Sequence, residues 1–220
     1  MDQYPVERLN KVRRTDRANY DRAAIHAVLD EGVVAHVGFT DDGRPIVLPM
    51  IYGRLGDTLY LHGAKAARFA KTMAPGVPVC LTVTLLDGIV VARSAFHMSM
   101  NYRSAVLHGH ANLVTGVSEA EKALEAITDH MLPGRWAETR PMIGKEFKAT
   151  SVLRVDIEAA SAKSRGGPPV DDDEDYALPI WAGVLPLGLH VGLPKDDGAL
   201  QPGTAVPASV QTMISRRNTE

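Results

Sequence analysis

Two cations three residues apart, Lys65 and Arg68, follow a strand-like run that ends in His62, Gly63 and Ala64. Read as a strand that opens a helix, this segment offers chemistry at one corner. Gly63 and Ala64 let the backbone approach a ligand closely. The free N–H groups of a helix start, with Lys65 and Arg68 on its first turn, suit a phosphate dianion. His62 is the candidate acid beside a substrate held there, because an imidazole titrates near neutral pH. An extended run precedes the corner, Arg44 to Tyr52, and its Pro49, Met50, Ile51 and Tyr52 can present backbone groups to the same ligand. Further along, Asn101, Tyr102, Arg103 and Ser104 form a second polar cluster.

Other reactive types carry less. Cys80 is the only cysteine; it excludes an internal disulfide and sits in an apolar run, as a buried thiol would. His108 and His110 share one face of a strand, but two imidazoles without a third ligand do not define a metal centre, and none is predicted. There is no G-x-G-x-x-G after a strand and no P-loop.

The elements that must position these residues read as mainly β. Asp21 to Leu29 is a helix stopped by Gly32. Val33 to Thr40, Pro45 to Tyr52 and Thr58 to His62 form a meander through turns at Asp41 to Gly43 and Gly53 to Asp57. A helix from Ala64 to Met73 ends at Pro75. Val79 to Leu86 and Ile89 to Ser94 read as a hairpin about Asp87 and Gly88, and a strand runs from Ser104 to Val117. Ser118 and Glu121 suggest a capping box for a helix to Met131, and Val152 to Ile157 is a last strand. The α+β expectation is a closed or split antiparallel barrel of six or seven strands. Residues 1–18 are a leading extension, 19–161 the barrel domain, and 162–220 a loop and extended arm that packs on the barrel or a partner. The run Asp171 to Asp175 reads as a solvated loop.

With 220 residues and a net charge of −2, the chain supports one large domain, has no basic stripe for nucleic acid and no apolar run for a membrane. The polar start and lone cysteine predict a cytoplasmic protein.

From Asn19 to Leu187 the chain resembles the pyridoxamine-5′-phosphate-oxidase-like, FMN-binding split-barrel proteins, in the branch of flavin-nucleotide-binding and nitroimidazole-reductase-like members. The resemblance rests on Arg44 to Tyr52, on Tyr60 to Lys65 with Arg68, and on Asn101 to Ser104, supported by Ser161 to Arg165 and Trp181 to Pro186. It implies a homodimer of six-stranded split barrels with FMN at each subunit interface. Pro49 to Tyr52 would then pass the flavin ring, with His62, Gly63 and Ala64 beside it and Lys65 and Arg68 on its phosphate. Asn101 to Ser104 would complete the pocket from the other chain, while Lys163, Arg165 and Trp181 close it. Three functions stay open: an FMN-dependent oxidoreductase of a small organic molecule, a flavin carrier or sensor without turnover, and a haem-binding split-barrel protein. The electron donor, whether NADH, NADPH or a deazaflavin, is not legible.

Overall fold

The computed structural model describes residues 2–217. Its nine strands are β1 (Ala18–Asn19), β2 (Val34–Asp41), β3 (Arg44–Leu55), β4 (Thr58–Ala64), β5 (Pro75–Val91), β6 (Ser99–Leu113), β7 (Thr150–Asp156), β8 (Ala159–Arg165) and β9 (Gly183–Pro186). The helices are α1 (Arg22–Glu31), α2 (Arg68–Met73), α3 (Val117–Met131), α4 (Gly144–Ala149) and α5 (Ala208–Arg217). All strand pairings are antiparallel. Six strands close on themselves in the order β2-β3-β4-β7-β6-β5, and β8 with β1 and then β9 attach outside that ring. This is the expected six-stranded split barrel.

The ring is split because β5 and β6 are too long for it. They pair with each other from Pro75↔Asn112 to Val90↔Ser99. On its other edge β5 gives Cys80 to Thr82 to β2 and Gly88 to Val91 to β9. Likewise β6 gives Ala111 to Leu113 to β7 and Tyr102 to His108 to β8. The far halves of both strands therefore project beyond the barrel as an arm.

Tight turns follow the residues that permit them. Asp42 (φ 49°) and Gly43 (φ 71°) are both left-handed, as a two-residue hairpin between β2 and β3 requires. Ile25, Val28 and Leu29 on one face of α1 enter the barrel core with Val37, Leu59, Leu61, Leu81, Leu107 and Leu153. On the outer surface, Ala123, Leu124 and Ile127 of α3 cover Tyr60 and Val152. Gly53 makes this contact possible, since a Cβ there would stand 2.5 Å from the Ile127 backbone nitrogen.

Several expectations are corrected. Asp87 and Gly88 do not turn the chain but form a bulge inside one continuous β5, because Asp87 is held by Arg103 (2.7 Å) and Gly88 lies under Val184. Consequently β6 starts at Ser99, and Asn101 to Ser104 lie within a strand rather than before one. Helix α2 starts at Arg68, leaving Lys65 outside it. The capping box at Ser118 does not form: Gly116 occupies the cap position of α3, and Glu119 turns to Tyr60 and Arg154. Ala162 to Arg165, expected as loop, is strand paired with β6. Within the acidic run, Asp171 is buried and receives the Arg93 backbone N–H (2.9 Å) and guanidinium (3.0 Å). The leading extension is fastened as well. Tyr4 is in the core, its hydroxyl donating to Asp57 at 2.8 Å, and buried Asn10 donates to the Ala160 carbonyl at 2.9 Å.

Replacing Gly53 by Ala forces α3 off the sheet. We expect a loss of about 1–3 kcal/mol in chemical denaturation, whereas Gly144→Ala, where an added Cβ meets nothing within 4 Å, does not lower the midpoint.

Candidate functional site

The split has a mouth. β3 pairs with β2 along Val34↔Ile51 to Asp41↔Arg44, but with β4 only from Tyr52 to Leu55. Beyond that point β4 continues to Ala64 paired with β7 alone. Between Arg44 and Ile51, then, one edge of β3 lacks a strand partner, and alternate residues turn their N–H and C=O groups toward the gap. Helix α2 stands at this gap. Its Phe69 packs on the core, and the ring lies so close to Gly63 that a Cβ there would come within 2.2 Å. The missing side chain of Gly63 thus serves Phe69, not the close approach of a ligand.

Around the mouth the fold gathers Pro49, Met50 and Ile51 from β3, His62 to Ala64 from β4, Lys65 from the following turn, and Arg68 from α2. Pro49, Ala64 and Lys65 are exposed. The Lys65 backbone N–H donates to the Ala149 carbonyl at 2.8 Å, fixing the turn, and its ammonium has no ion pair among the described residues. Arg68 is exposed but shares its charge with Asp41 at 3.2 Å. At six residues α2 is too short to act as a dipole; any anion at this corner is held by the side-chain cations. Tyr52 is set apart from the others, because its side chain is fully buried and its hydroxyl donates to the carbonyls of Leu29 (2.5 Å) and Gly32 (2.7 Å). Burial holds that phenol well above its usual range, so it stays protonated.

His62 is on the Tyr60 side of β4, the outer face covered by α3. Its Nδ1 is buried without a hydrogen-bond partner. Burial lowers its pKa, which favours the neutral ring and makes His62 a poor reservoir of protons at pH 7. An unpartnered buried nitrogen beside exposed Lys65 fits a polar ligand that supplies the missing partner.

Asn101, Tyr102, Arg103, Ser104, Lys163, Arg165 and Trp181 are not at the mouth. They cluster on the projecting arm, where Tyr102, Arg103 and Ser104 pair with Arg165, Ser164 and Lys163. In register, Pro49 leads through His36 and Thr82 to Val106 on β6, and Tyr102 lies four residues further toward the arm's tip. Arg103 is clamped by Asp87 (2.7 Å) and Glu31 (2.8 Å), which hold its pKa above the ordinary guanidinium value and cancel its charge toward any ligand. Arg165 donates to Asn101 Oδ1 and to the Pro168 carbonyl (3.0 Å), and Asn101 donates to the Gly167 carbonyl (3.1 Å), so this pair braces a turn. Lys163 stands 5.7 Å from the Tyr102 ring centre. Trp181 is 68 % exposed.

Sequence reasoning set aside one feature that the fold develops. Outside the ring, β2, β3, β5 and β6 form a groove of about 380 Å³ whose lining includes Gly38, Val47, Pro78, Cys80, His108 and His110. Its signal in the sequence was the His108-Gly-His110 alternation. Desolvation raises the Cys80 thiol pKa. Among the described residues no helix is long and apolar enough to cross a membrane.

A neutral buried His62 has a consequence for stability. Unfolded, the ring takes a proton below about pH 6.5; folded, it resists. Its contribution is therefore intact above about pH 6.5 and lost as pH falls toward the depressed folded value. Between pH 7.5 and 5.5 the wild-type Tm should fall further than that of His62→Gln, measured by circular dichroism.

The sequence model for pyridoxamine 5′-phosphate oxidase matches residues 21–164. No curated protein matches the chain. Among solved structures, the flavocytochrome Anf3 from Azotobacter vinelandii is 41% identical, with a TM-score of 0.87, covering 96% of this chain and 98% of that one. A FAD and haem binding protein from Mycobacterium smegmatis is 38% identical, with a TM-score of 0.85 and coverage of 90% and 97%. A proposed 5-nitroimidazole antibiotic resistance protein from Bacteroides thetaiotaomicron shares the fold, at 24% identity and a TM-score of 0.52 over 66% and 85% of the two chains. The family match ends inside β8, whereas the likeness to the Azotobacter protein takes in nearly all of the C-terminal arm. With the split ring, the open edge of β3 and a match over most of the barrel, this chain belongs to the pyridoxamine 5′-phosphate oxidase family.

Proposed function

We propose that this protein binds a flavin nucleotide at the mouth of its split barrel and uses it to oxidise or reduce a small organic molecule. The observation that carries the reading is the 41% and 38% identity, over nearly whole chains, to a flavocytochrome and a FAD and haem binding protein. The residues fit a flavin: Lys65 and Arg68 supply cations for the phosphate, the open edge of β3 from Pro49 to Ile51 supplies backbone donors and acceptors for the ring, and His62 Nδ1 needs a partner. FMN is the ligand expected from the sequence; FAD contains the same ring and first phosphate, so both address this corner. A bound flavin supplies hydride and single-electron transfer, and the protein supplies position and charge.

We also propose that the protein is a homodimer whose partner brings Tyr102, Lys163 and Trp181 to the mouth. Support comes from the separation of the two clusters within one chain, and from the exposed apolar side chains of the arm, Phe96 (89 %) and Trp181 (68 %) among them. The names of the two relatives favour haem as a second prosthetic group.

Denaturing the purified protein should release FMN or FAD, identified by chromatography; protein that releases no flavin, and takes up neither on titration, would end the flavin reading. Lys65→Ala with Arg68→Ala should weaken flavin affinity tenfold or more, about 1.4 kcal/mol, with Lys65 responsible for most because Arg68 is shared with Asp41. Anaerobic NADH, NADPH or reduced deazaflavin should bleach the bound flavin within seconds to minutes; if none does, the protein is a carrier. Sedimentation at micromolar concentration should give a dimer, and a monomer alone would reject the shared site.

A further inference from the structure

The phosphate corner of the mouth has a third cation close by, Arg44, for which the flavin reading gives no task. We propose that Arg44 binds the second phosphate of a flavin dinucleotide whose first phosphate is held by Lys65 and Arg68, so that the mouth favours FAD over FMN. This inference rests on the flavin part of the function proposed above.

Arg44 opens β3 directly across the hairpin from Asp41. Side chains opposite each other in an antiparallel pair share one face, with their Cβ atoms about 4.5–5.5 Å apart. On that face Val37 and Phe39 of β2, with Ile46 and Leu48 of β3, pack in the barrel core. Asp41 and Arg44 therefore end the inward row, at the rim of the barrel. Helix α2 stands on this rim and brings two groups, four residues apart, to the Asp41 carboxylate. Arg68 Nε lies 3.2 Å from Oδ2, and the Thr72 hydroxyl donates to Oδ1 at 3.0 Å. Both oxygens are thus engaged by α2.

Arg44 is left over. It is exposed, and its side chain makes no ion pair or hydrogen bond among the described residues. FMN carries its phosphate charge on one monoester group, whereas FAD spreads it over two phosphates that share an oxygen. The cations are divided in the same way: Lys65 and Arg68 stand at α2, and Arg44 stands on β3 across the hairpin from the residue that holds Arg68. A guanidinium with free donors is suited to a phosphate, which it can grip with two parallel hydrogen bonds. The open edge of β3 supplies the length. From Pro49 to Arg44 it runs about 17 Å at strand rise, so the ring and the phosphates of one extended flavin can lie along it.

The test is calorimetric titration of the purified full-length chain, freed of bound flavin, with FMN and with FAD. Wild type should bind FAD more tightly than FMN. In Arg44→Ala the ratio of FAD to FMN affinity should fall about tenfold, the order expected for one lost charge-assisted contact. Arg44→Lys, which keeps the charge but not the fork, should lie between the two. Lys65→Ala with Arg68→Ala should weaken both flavins, because both present a first phosphate to that pair. If wild type does not prefer FAD, or if Arg44→Ala leaves the ratio unchanged, the assignment of Arg44 is overturned while the flavin reading stands. A lysine variant no better than the alanine one would likewise overturn it, since the contact would then not be ionic. If the wild type takes up neither flavin, the flavin reading fails, and this inference with it.

Discussion

The pairing of β5 with β6 is the constraint on which the rest of the molecule depends. Each strand is longer than the barrel that it helps to close, so each must divide its outer edge between two partners. One half of the ladder is curved into the ring and fills it with Leu81, Val83 and Leu107. The other half leaves the ring and has to be clothed by β8, β9 and the segment around Asp171. Backbone groups on a strand cannot be left without partners in a protein interior. The long C-terminal segment is therefore a structural requirement of the long hairpin.

Charges divide by location in a way that the linear sequence conceals. Most arginines are spent on the scaffold. Arg103 joins α1 to the bulge in β5 through Glu31 and Asp87, and Arg54 takes Asp30 at 2.6 Å. Asp57 collects Tyr4, Arg22 and His26; burial alone would raise its pKa, but those three partners together hold it below the usual carboxylate range. Burial likewise disfavours the ionised form of Asp171, and the hydrogen bonds from Arg93 outweigh that cost. The lysines stay outside these networks, since none forms an ion pair among the described residues; Lys65 at the mouth and Lys163 on the arm are two of them. A compact, unshared ammonium near an open edge is an asset for binding an anion and contributes little to folding.

How far the sequence revealed this arrangement depended on whether a local signal had one physical solution or two. The meander β2-β3-β4 was legible because Asp42, Gly43 and Gly56 sit where φ must be positive. Asp87 and Gly88 have the same composition, yet a bulge satisfies them as well as a turn, and the decision belongs to Arg103 and Val184, far away in sequence. Ala64 to Ala67 favour a helix locally, but β7 claims Ala64 through Thr150, so tertiary pairing overrides propensity. Along β3, alternation marked an inner and an outer face without saying which residue leaves it at the barrel's rim; Tyr52 went inward to bind α1. The mouth residues were found because they are neighbours in sequence. The arm residues were found too, but nothing in their types could say that the fold carries them away from the mouth.

The closure of the ring has a consequence for the order in which the protein is made. β5 and β6 are joined by a short connection, so their ladder costs little loop entropy to start. The β4–β7 seam joins residues as far apart as Thr58 and Asp156, a separation of 98, and contacts so distant in sequence slow folding. Synthesis imposes the same sequence of events, because β7 leaves the ribosome some forty residues after β6 is complete. Until β7 arrives, the Lys65 amide lacks the Ala149 carbonyl that fixes its turn, and the edge of β4 is bare. The hairpin is thus registered before the ring closes, and the corner with Lys65 is among the last parts to form. A nascent chain can hold the β5–β6 hairpin and still have neither a clothed arm nor a mouth.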